Sequence, residues 1–258
     1  MRIVKQYGEM RTGTNIVRSC LAEHFEEVLV LMHLLGDKHS PPAPFMSLWK
    51  QVLEGALERY DFALRATECR PAESTRLDEP GQAAYVEQWA SAIAEAFHER
   101  SIQFLVSIKS PLAWLASLRK YESTMLGRTL TPTEVVVDRY ARCYKAWLGL
   151  RDIDRFDLVI VRHEDLIDDV NGCMRRVADQ LHIRPKHNRS IELPEEPVNP
   201  CFWDHIETTT ATGTRFNHDY YRDGAYRNSI TTDDRRIVCD RLDWAVLAEY
   251  GYSRTSVL

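Results

Sequence analysis

Two hydrophobic rhythms alternate along the chain. Short and nearly unbroken apolar runs occur at Ile3–Tyr7, Glu27–His33, Ile102–Ile108 and Asp157–Val161, the pattern of strands covered on both faces. Between them apolar residues recur every three or four positions, which predicts helices. Ile16, Val17, Cys20, Leu21 and His24 form one stripe over Asn15–Phe25, and Val136, Tyr140, Tyr144 and Trp147 another over Pro132–Arg151. Val86, Trp89, Ile93, Ala96 and Phe97 form a third over Ala83–Arg100. Further helices are predicted over Phe45–Ala66, from Pro111 to about Tyr121, near Asn171–His182 and over Thr231–Tyr250. Ser110 and Pro111 suit an N-cap and first helical position, and Thr231 to Asp234 suit a cap and first turn.

Strands separated by helices predict an α/β fold, a central parallel sheet flanked by helices in a single three-layer domain over 1–258. About 43–100 reads as a helical insertion, and about 185–230 as an irregular segment covering a site. Ligands in such sheets bind beyond the carboxyl ends of the strands. "GEMRTGTN", "MHLLGDKH" and "IKSP" all fall there.

Composition narrows the function classes. With 44% hydrophobic and 28% charged residues among 258, the chain is an ordinary globular one. A net charge of −5 supplies no global field for nucleic acid, so any anion site must be local. The start, Met1-Arg2-Ile3-Val4-Lys5, does not read as a signal peptide, and no run of eighteen apolar residues predicts a membrane span. Six cysteines, at 20, 69, 143, 173, 201 and 239, form no C-x-x-C pair, so zinc chemistry has no support and a reducing, cytoplasmic setting is expected. Cys20 and Cys143 fall on helical stripes and are expected in the core.

The first loop, YGEMRTGTN, has Gly8 and Gly13 at the spacing of a P-loop, but Thr14 stands where the lysine belongs. The glycines let the backbone curl around an anion, and the amides of residues 13 to 16 would meet it at the helix start. Thr12, Thr14 and Asn15 add hydrogen-bonding side chains and Arg11 adds a charge. A triphosphate would be poorly neutralised, whereas a single phosphate would be well served. By itself the stretch is equally a strand-to-helix turn with incidental glycines. Farther on, Lys109 ends a strand and Ser117 lies eight residues later on the adjoining helix. Together they form a second candidate phosphate clamp.

These two loops, in this order, resemble the PAPS-dependent sulfotransferase family, in its bacterial or carbohydrate-type branch. The match rests on Arg11, Thr12, Gly13, Thr14 and Asn15 in the first loop and on Lys109 and Ser117 in the second. "VIVRHEDLIDD" resembles the family's strand ending in "YEDL", with His163 in place of the tyrosine. "YYRDGAYRNSITTDD" is similar to its C-terminal loop through Arg222, Gly224 and Arg227. The resemblance implies a P-loop-like fold that binds 3′-phosphoadenosine 5′-phosphosulfate (PAPS), the first loop holding the 5′-phosphosulfate and the others the 3′-phosphate. It implies sulfuryl transfer to a hydroxyl of a small molecule or saccharide, with no metal required.

Arg11 is the first candidate to stabilise the leaving charge and Lys38 the second. His39, in "GDKHSPP", is the favoured general base, with His33 and Glu9 as competitors. Trp49, Tyr60, Trp89, Phe202 and Trp203 are candidate walls for the acceptor, and core packing explains most of them equally well. Two other functions stay open at this point: an ATP-dependent small-molecule kinase with a degenerate P-loop, and a non-catalytic nucleotide-binding module.

Overall fold

The computed structural model describes residues 2–31, 38–42, 102–125, 127, 130–152, 157–193, 198–199, 210–211 and 218–257. The four apolar runs pair into one sheet: β1 (Arg2–Gly8), β2 (Val28–Leu31), β3 (Ile102–Ile108) and β4 (Leu158–Arg162). Their order is β2-β1-β3-β4 and every pairing is parallel. The chain moves from β1 to one side to make β2, then to the other side for β3. Gly8 at the end of β1 stands opposite Ser107 of β3. The crevice between their carboxyl ends is therefore the topological switch point of the sheet.

Helices cover both faces. On one, α1 (Thr14–His24) packs beside a later helix, α5 (Val170–Leu181). Ile16, Val17, Cys20 and Leu21 meet Val4, Leu105, Met174 and Val177 there. On the other, α2 (Pro111–Lys120) and α3 (Thr133–Leu148) bury Trp114, Tyr140, Tyr144 and Trp147 against Tyr7, Phe104 and Val106. This is the expected α/β arrangement of a parallel sheet between helical layers. Cys20 and Cys143 are buried as their stripes require.

Several boundaries differ from the sequence-based expectation. A six-residue helix, α4 (His163–Asp168), follows β4 directly; it is too short to leave a periodic stripe. The predicted Thr231–Tyr250 helix is two, α7 (Thr232–Arg241) and α8 (Trp244–Glu249). Leu242 turns extended and Asp243 caps the amides of Ala245 and Val246, so a local side-chain bond ends one helix and begins the next. Thr231 and Asp234 do form a reciprocal capping box at α7. Ser110 occupies the N-cap of α2, but its side chain makes no capping bond. Instead its amide donates to Glu164 Oε1 at 2.9 Å.

Within the stretch expected to be irregular, β5 (Val198–Asn199) and β6 (Thr210–Ala211) make a small antiparallel pair. It is followed by a five-residue helix, α6 (His218–Arg222), and the 3-10 turn Ala225–Ser229. The chain ends in α9 (Arg254–Val257). The predicted helices Phe45–Ala66 and Ala83–Arg100, the insertion 43–100, and His33, Trp49, Tyr60, Trp89, Phe202 and Trp203 lie outside the described residues. No helix among those described is long and apolar enough to cross a membrane.

Candidate functional site

The loop after β1 is folded by its own side chains. Thr12 Oγ1 donates to the Glu9 carbonyl at 2.7 Å, and the Thr12 amide reaches the same oxygen at 3.3 Å. Thr12 therefore closes the loop, both of its donors turned to the Glu9 carbonyl. Arg11 and Gly13 both adopt positive φ, 71° and 86°. For arginine that backbone is strained, and here it curls the loop into a concavity. Gly13 begins α1 with no side-chain cap, so the first-turn amides of this eleven-residue helix are presented at the crevice. A Cβ on Gly13 would come within 3.3 Å of His163 Cδ2. At Gly8 a Cβ would stand 2.6 Å from the Ser107 carbonyl and 2.9 Å from Thr14 Cγ2. Both glycines are close-approach positions.

Beneath the loop lies an ion pair. Glu9 is fully buried, and Arg139 of α3 grips both its oxygens at 3.1 and 2.8 Å. Burial pushes the Glu9 carboxyl above its ordinary 4.5, against the pull of that guanidinium. A carboxylate held this way braces the loop and is not poised to take a substrate proton, which weakens Glu9 as a base.

Aromatic donors from the helical layer fix the other strand ends. Trp114 Nε1 donates to the Met10 carbonyl at 3.0 Å, Tyr144 to Ser107 at 2.9 Å, Tyr140 to Lys109 at 2.7 Å and Trp147 to Ser40 at 3.1 Å. Gln6 Nε2 ties the Thr14 carbonyl at 3.0 Å to Ser107 Oγ at 3.2 Å, joining the two loops across the crevice. Glu164, at the start of α4, accepts from the Ser110 amide with one oxygen and from Tyr252 with the other. It thereby sets the Lys109–Ser110 turn and places a carboxylate near Lys109.

These supports leave a cleft of about 110 Å³ lined by Arg11, Gly13, Thr14, Asn15, Lys109 and Ser117, with Ile16, His163 and Tyr221 completing its wall. Six residues expected to bind the nucleotide thus converge on one place, although a hundred positions separate the two loops. Lys109 is buried and its Nζ lies 3.4 Å from the centre of the Tyr221 ring. Burial lowers the Lys109 pKa well below its ordinary 10.5; Arg11 adds to the fall, and Glu164 opposes it. Burial raises the Tyr221 pKa, and Ser117 beside the phenol opposes the rise. Arg11 is exposed, its guanidinium 5.1 Å from the Tyr121 ring.

Lys38 and His39 bond to the same loop and helix start. Lys38 Nζ donates to Asn15 Oδ1 at 2.8 Å, and its carbonyl accepts from the Gly8 amide at 2.9 Å. His39 Nδ1 is 2.5 Å from the Gly8 carbonyl. Arg222, Gly224 and Arg227 stand on the covering segment, beyond the cleft wall. Arg222 pairs with Asp219 at 3.3 Å in solvent, Gly224 takes φ 71°, and the Arg227 carbonyl accepts from Arg235. Among the described residues of this segment, Tyr221 lines the cleft. Neither Tyr221 nor Glu164 was identified from sequence. Tyr221 sits in no periodic pattern, and Glu164 was legible only as part of "HEDL". Among the described residues no three His, Cys, Asp or Glu side chains cluster as metal ligands.

No family model matches the chain, and no curated protein matches it. A solved structure, the sulfotransferase domain from the Synechococcus PCC 7002 olefin synthase, aligns over 97% of this chain and 94% of that one. The two are 15% identical, with a TM-score of 0.46.

Proposed function

We propose that this chain is a PAPS-dependent sulfotransferase, acting on a hydroxyl of a small molecule or saccharide. The observation that carries this reading is the convergence of Arg11, Gly13, Thr14, Asn15, Lys109 and Ser117 on a single cleft at the switch point. The cleft combines a glycine-bounded helix start, suited to one anionic group, with a buried ammonium and a hydroxyl suited to a second. A nucleotide phosphorylated at both ends of its ribose presents two such groups.

In the proposed reaction the acceptor oxygen bonds to sulfur while the bond from sulfur to the 5′-phosphate oxygen breaks. The electron pair leaves on that phosphate oxygen, where Arg11 and the first-turn amides of α1 stabilise it. His39 takes the hydroxyl proton at Nε2. Lys38 holds Asn15 at the helix start and adds charge beside the loop. Arg222 and Arg227 on the covering segment are assigned to the 3′-phosphate side, with Lys109 and Ser117 below. A cytoplasmic location belongs to the same proposal.

The test is thermal unfolding with PAP (the desulfated donor), with ATP and Mg²⁺, or with neither. PAP at 100 times its Kd adds roughly 2.7 kcal/mol, a rise of about 5–10 °C for a chain of this size. A rise with PAP that Lys109→Ala diminishes supports the donor site. A rise with ATP–Mg²⁺ alone overturns the proposal in favour of a kinase. Transfer of labelled sulfate from PAPS to a panel of hydroxyl acceptors then separates an enzyme from a module that only binds.

A further inference from the structure

Lys109 and Ser117 are the two groups in the cleft best suited to a second phosphate, and one side chain engages both. The Tyr221 ring lies 3.4 Å from Lys109 Nζ, and Ser117 is close enough to act on its hydroxyl. Arg11 is close enough to act on the same phenol. The ring is also braced edge-on by His163 and Tyr220, each with its ring centre 5.1 Å away. With Tyr221 in place the cleft has room of about 110 Å³, well short of the roughly 300 Å³ or more usual for a site enclosing a ligand of nucleotide size.

We infer that Tyr221 is a built-in plug, a side chain that fills the anion position between Lys109 and Ser117 and must leave it when the 3′-phosphate of the nucleotide enters. This rests on the sulfotransferase reading above. The exchange is physically favoured. Burial raises the Tyr221 pKa, so the phenol is neutral and adds no negative charge beside Lys109 and Arg11, leaving Glu164 as the carboxylate that acts on Lys109. A phosphate dianion compensates both and accepts the Ser117 hydroxyl as well, through charge-assisted bonds that a neutral ring cannot match. The carrier is suited to move, since Tyr221 rides on the five-residue helix α6. Immediately after α6 come Asp223 and Gly224, whose positive φ allows a turn there. Arg222 is the next residue, so expulsion of Tyr221 would reorient the arginine assigned to the same phosphate. The plug would thus act in specificity. A nucleotide without a 3′-phosphate gains nothing by displacing it.

Isothermal titration of the wild-type chain, Tyr221→Phe and Tyr221→Ala with PAP and with 5′-AMP tests this. A plug lowers apparent affinity by the fraction of molecules in which it is withdrawn. Tyr221→Ala should therefore bind PAP about tenfold more tightly than wild type, and 5′-AMP about equally. Tyr221→Phe, which keeps the ring but removes the hydroxyl that Ser117 acts on, should move the same way by a smaller factor. It decides the matter if the alanine variant fails to fold. Weaker PAP binding by either variant, in a wild type that binds PAP, overturns the plug and makes Tyr221 a wall of the nucleotide site while leaving the function intact. Equal tightening for PAP and 5′-AMP overturns the link to the 3′-phosphate. No PAP binding by any of the three proteins overturns the sulfotransferase reading and the plug with it.

Discussion

His39 Nδ1 lies 2.5 Å from the carbonyl oxygen of Gly8, the last residue of β1. A carbonyl can only accept, so Nδ1 carries the proton and the basic lone pair of the neutral ring is on Nε2. One contact thereby sets the tautomer and anchors the ring to the start of the first loop. The proposed base follows from this geometry. His39→Ala should slow sulfuryl transfer by about 10²–10⁴-fold while PAP affinity changes little. Single-turnover transfer of labelled sulfate, beside a PAP titration, checks both halves. Unchanged transfer would move the role to another group, His33 first.

Lys109 is expected to distinguish nucleotides by the 3′-phosphate. Lys109→Ala removes a charged partner and should weaken PAP binding by about 10–150-fold, the equivalent of roughly 1.5–3 kcal/mol. Binding of 5′-AMP should change far less. Lys109→Arg should not restore the wild type, because the Lys109 side chain is buried with its Nζ against the Tyr221 ring, and the longer planar group would have to displace its neighbours. Competitive titration of the two nucleotides against each variant gives the ratio directly.

The depressed Lys109 pKa makes a pH prediction with two opposite signs. PAP needs the ammonium, so affinity should fall as pH rises through the folded value, in a window below 10.5. Within that window binding should take up a proton, visible as a dependence of calorimetric enthalpy on the buffer. For the free protein the unfolded chain binds the proton more readily than the folded one. Stability should therefore rise with pH across the same window. Lys109→Met should abolish both trends.

The pair under the loop is a stability device. Arg139→Ala leaves the Glu9 carboxyl buried without its partner and should cost on the order of 3 kcal/mol, or about 6–12 °C in Tm. Adding Glu9→Gln to Arg139→Ala should recover part of the loss by removing the buried charge. A double-mutant cycle by thermal unfolding measures the coupling. No recovery would mean that Arg139 acts by packing alone.

Gly8→Ala tests the close approach of the two strand ends. Its Cβ would meet the Ser107 carbonyl at 2.6 Å, and that backbone is already tied by Tyr144. The substitution should cost about 1–3 kcal/mol. It should also weaken PAP, because the loop can relax only by moving away from Lys109. Tm and PAP affinity are the readouts.

Much of the fold was legible because its signals are local. The largely apolar runs of β1 and β3, interrupted by the buried polar residues Lys5, Gln6, Gln103 and Ser107, reflect burial on both faces, and the stripes of α1 and α3 reflect burial on one. The Thr231 capping box needs only residues within one turn. The loop from Gly8 to Asn15 was visible because glycine spacing and a helix start are neighbours in the chain. Even there, Thr12 turned inward, since which donors a tight loop uses on itself depends on coordinates that spacing does not carry. The break at Leu242–Asp243 was missed because Val238, Leu242 and Ala245 keep a helical spacing across it, which masks the cap signal of Asp243.

Strand and helix periods, the glycine-bounded loop after β1 and the basic end of β3 were all present in the order of residues. Tertiary structure alone decided that β1 and β3 are neighbours at a switch point, which brings Arg11 and Lys109 to one cleft. It also set Glu9 against Arg139, His39 on the Gly8 carbonyl and Tyr221 over Lys109. These are contacts between segments far apart in the chain. They depend on which faces of the sheet and helices bury together, and no local period records the partner a buried side chain will meet.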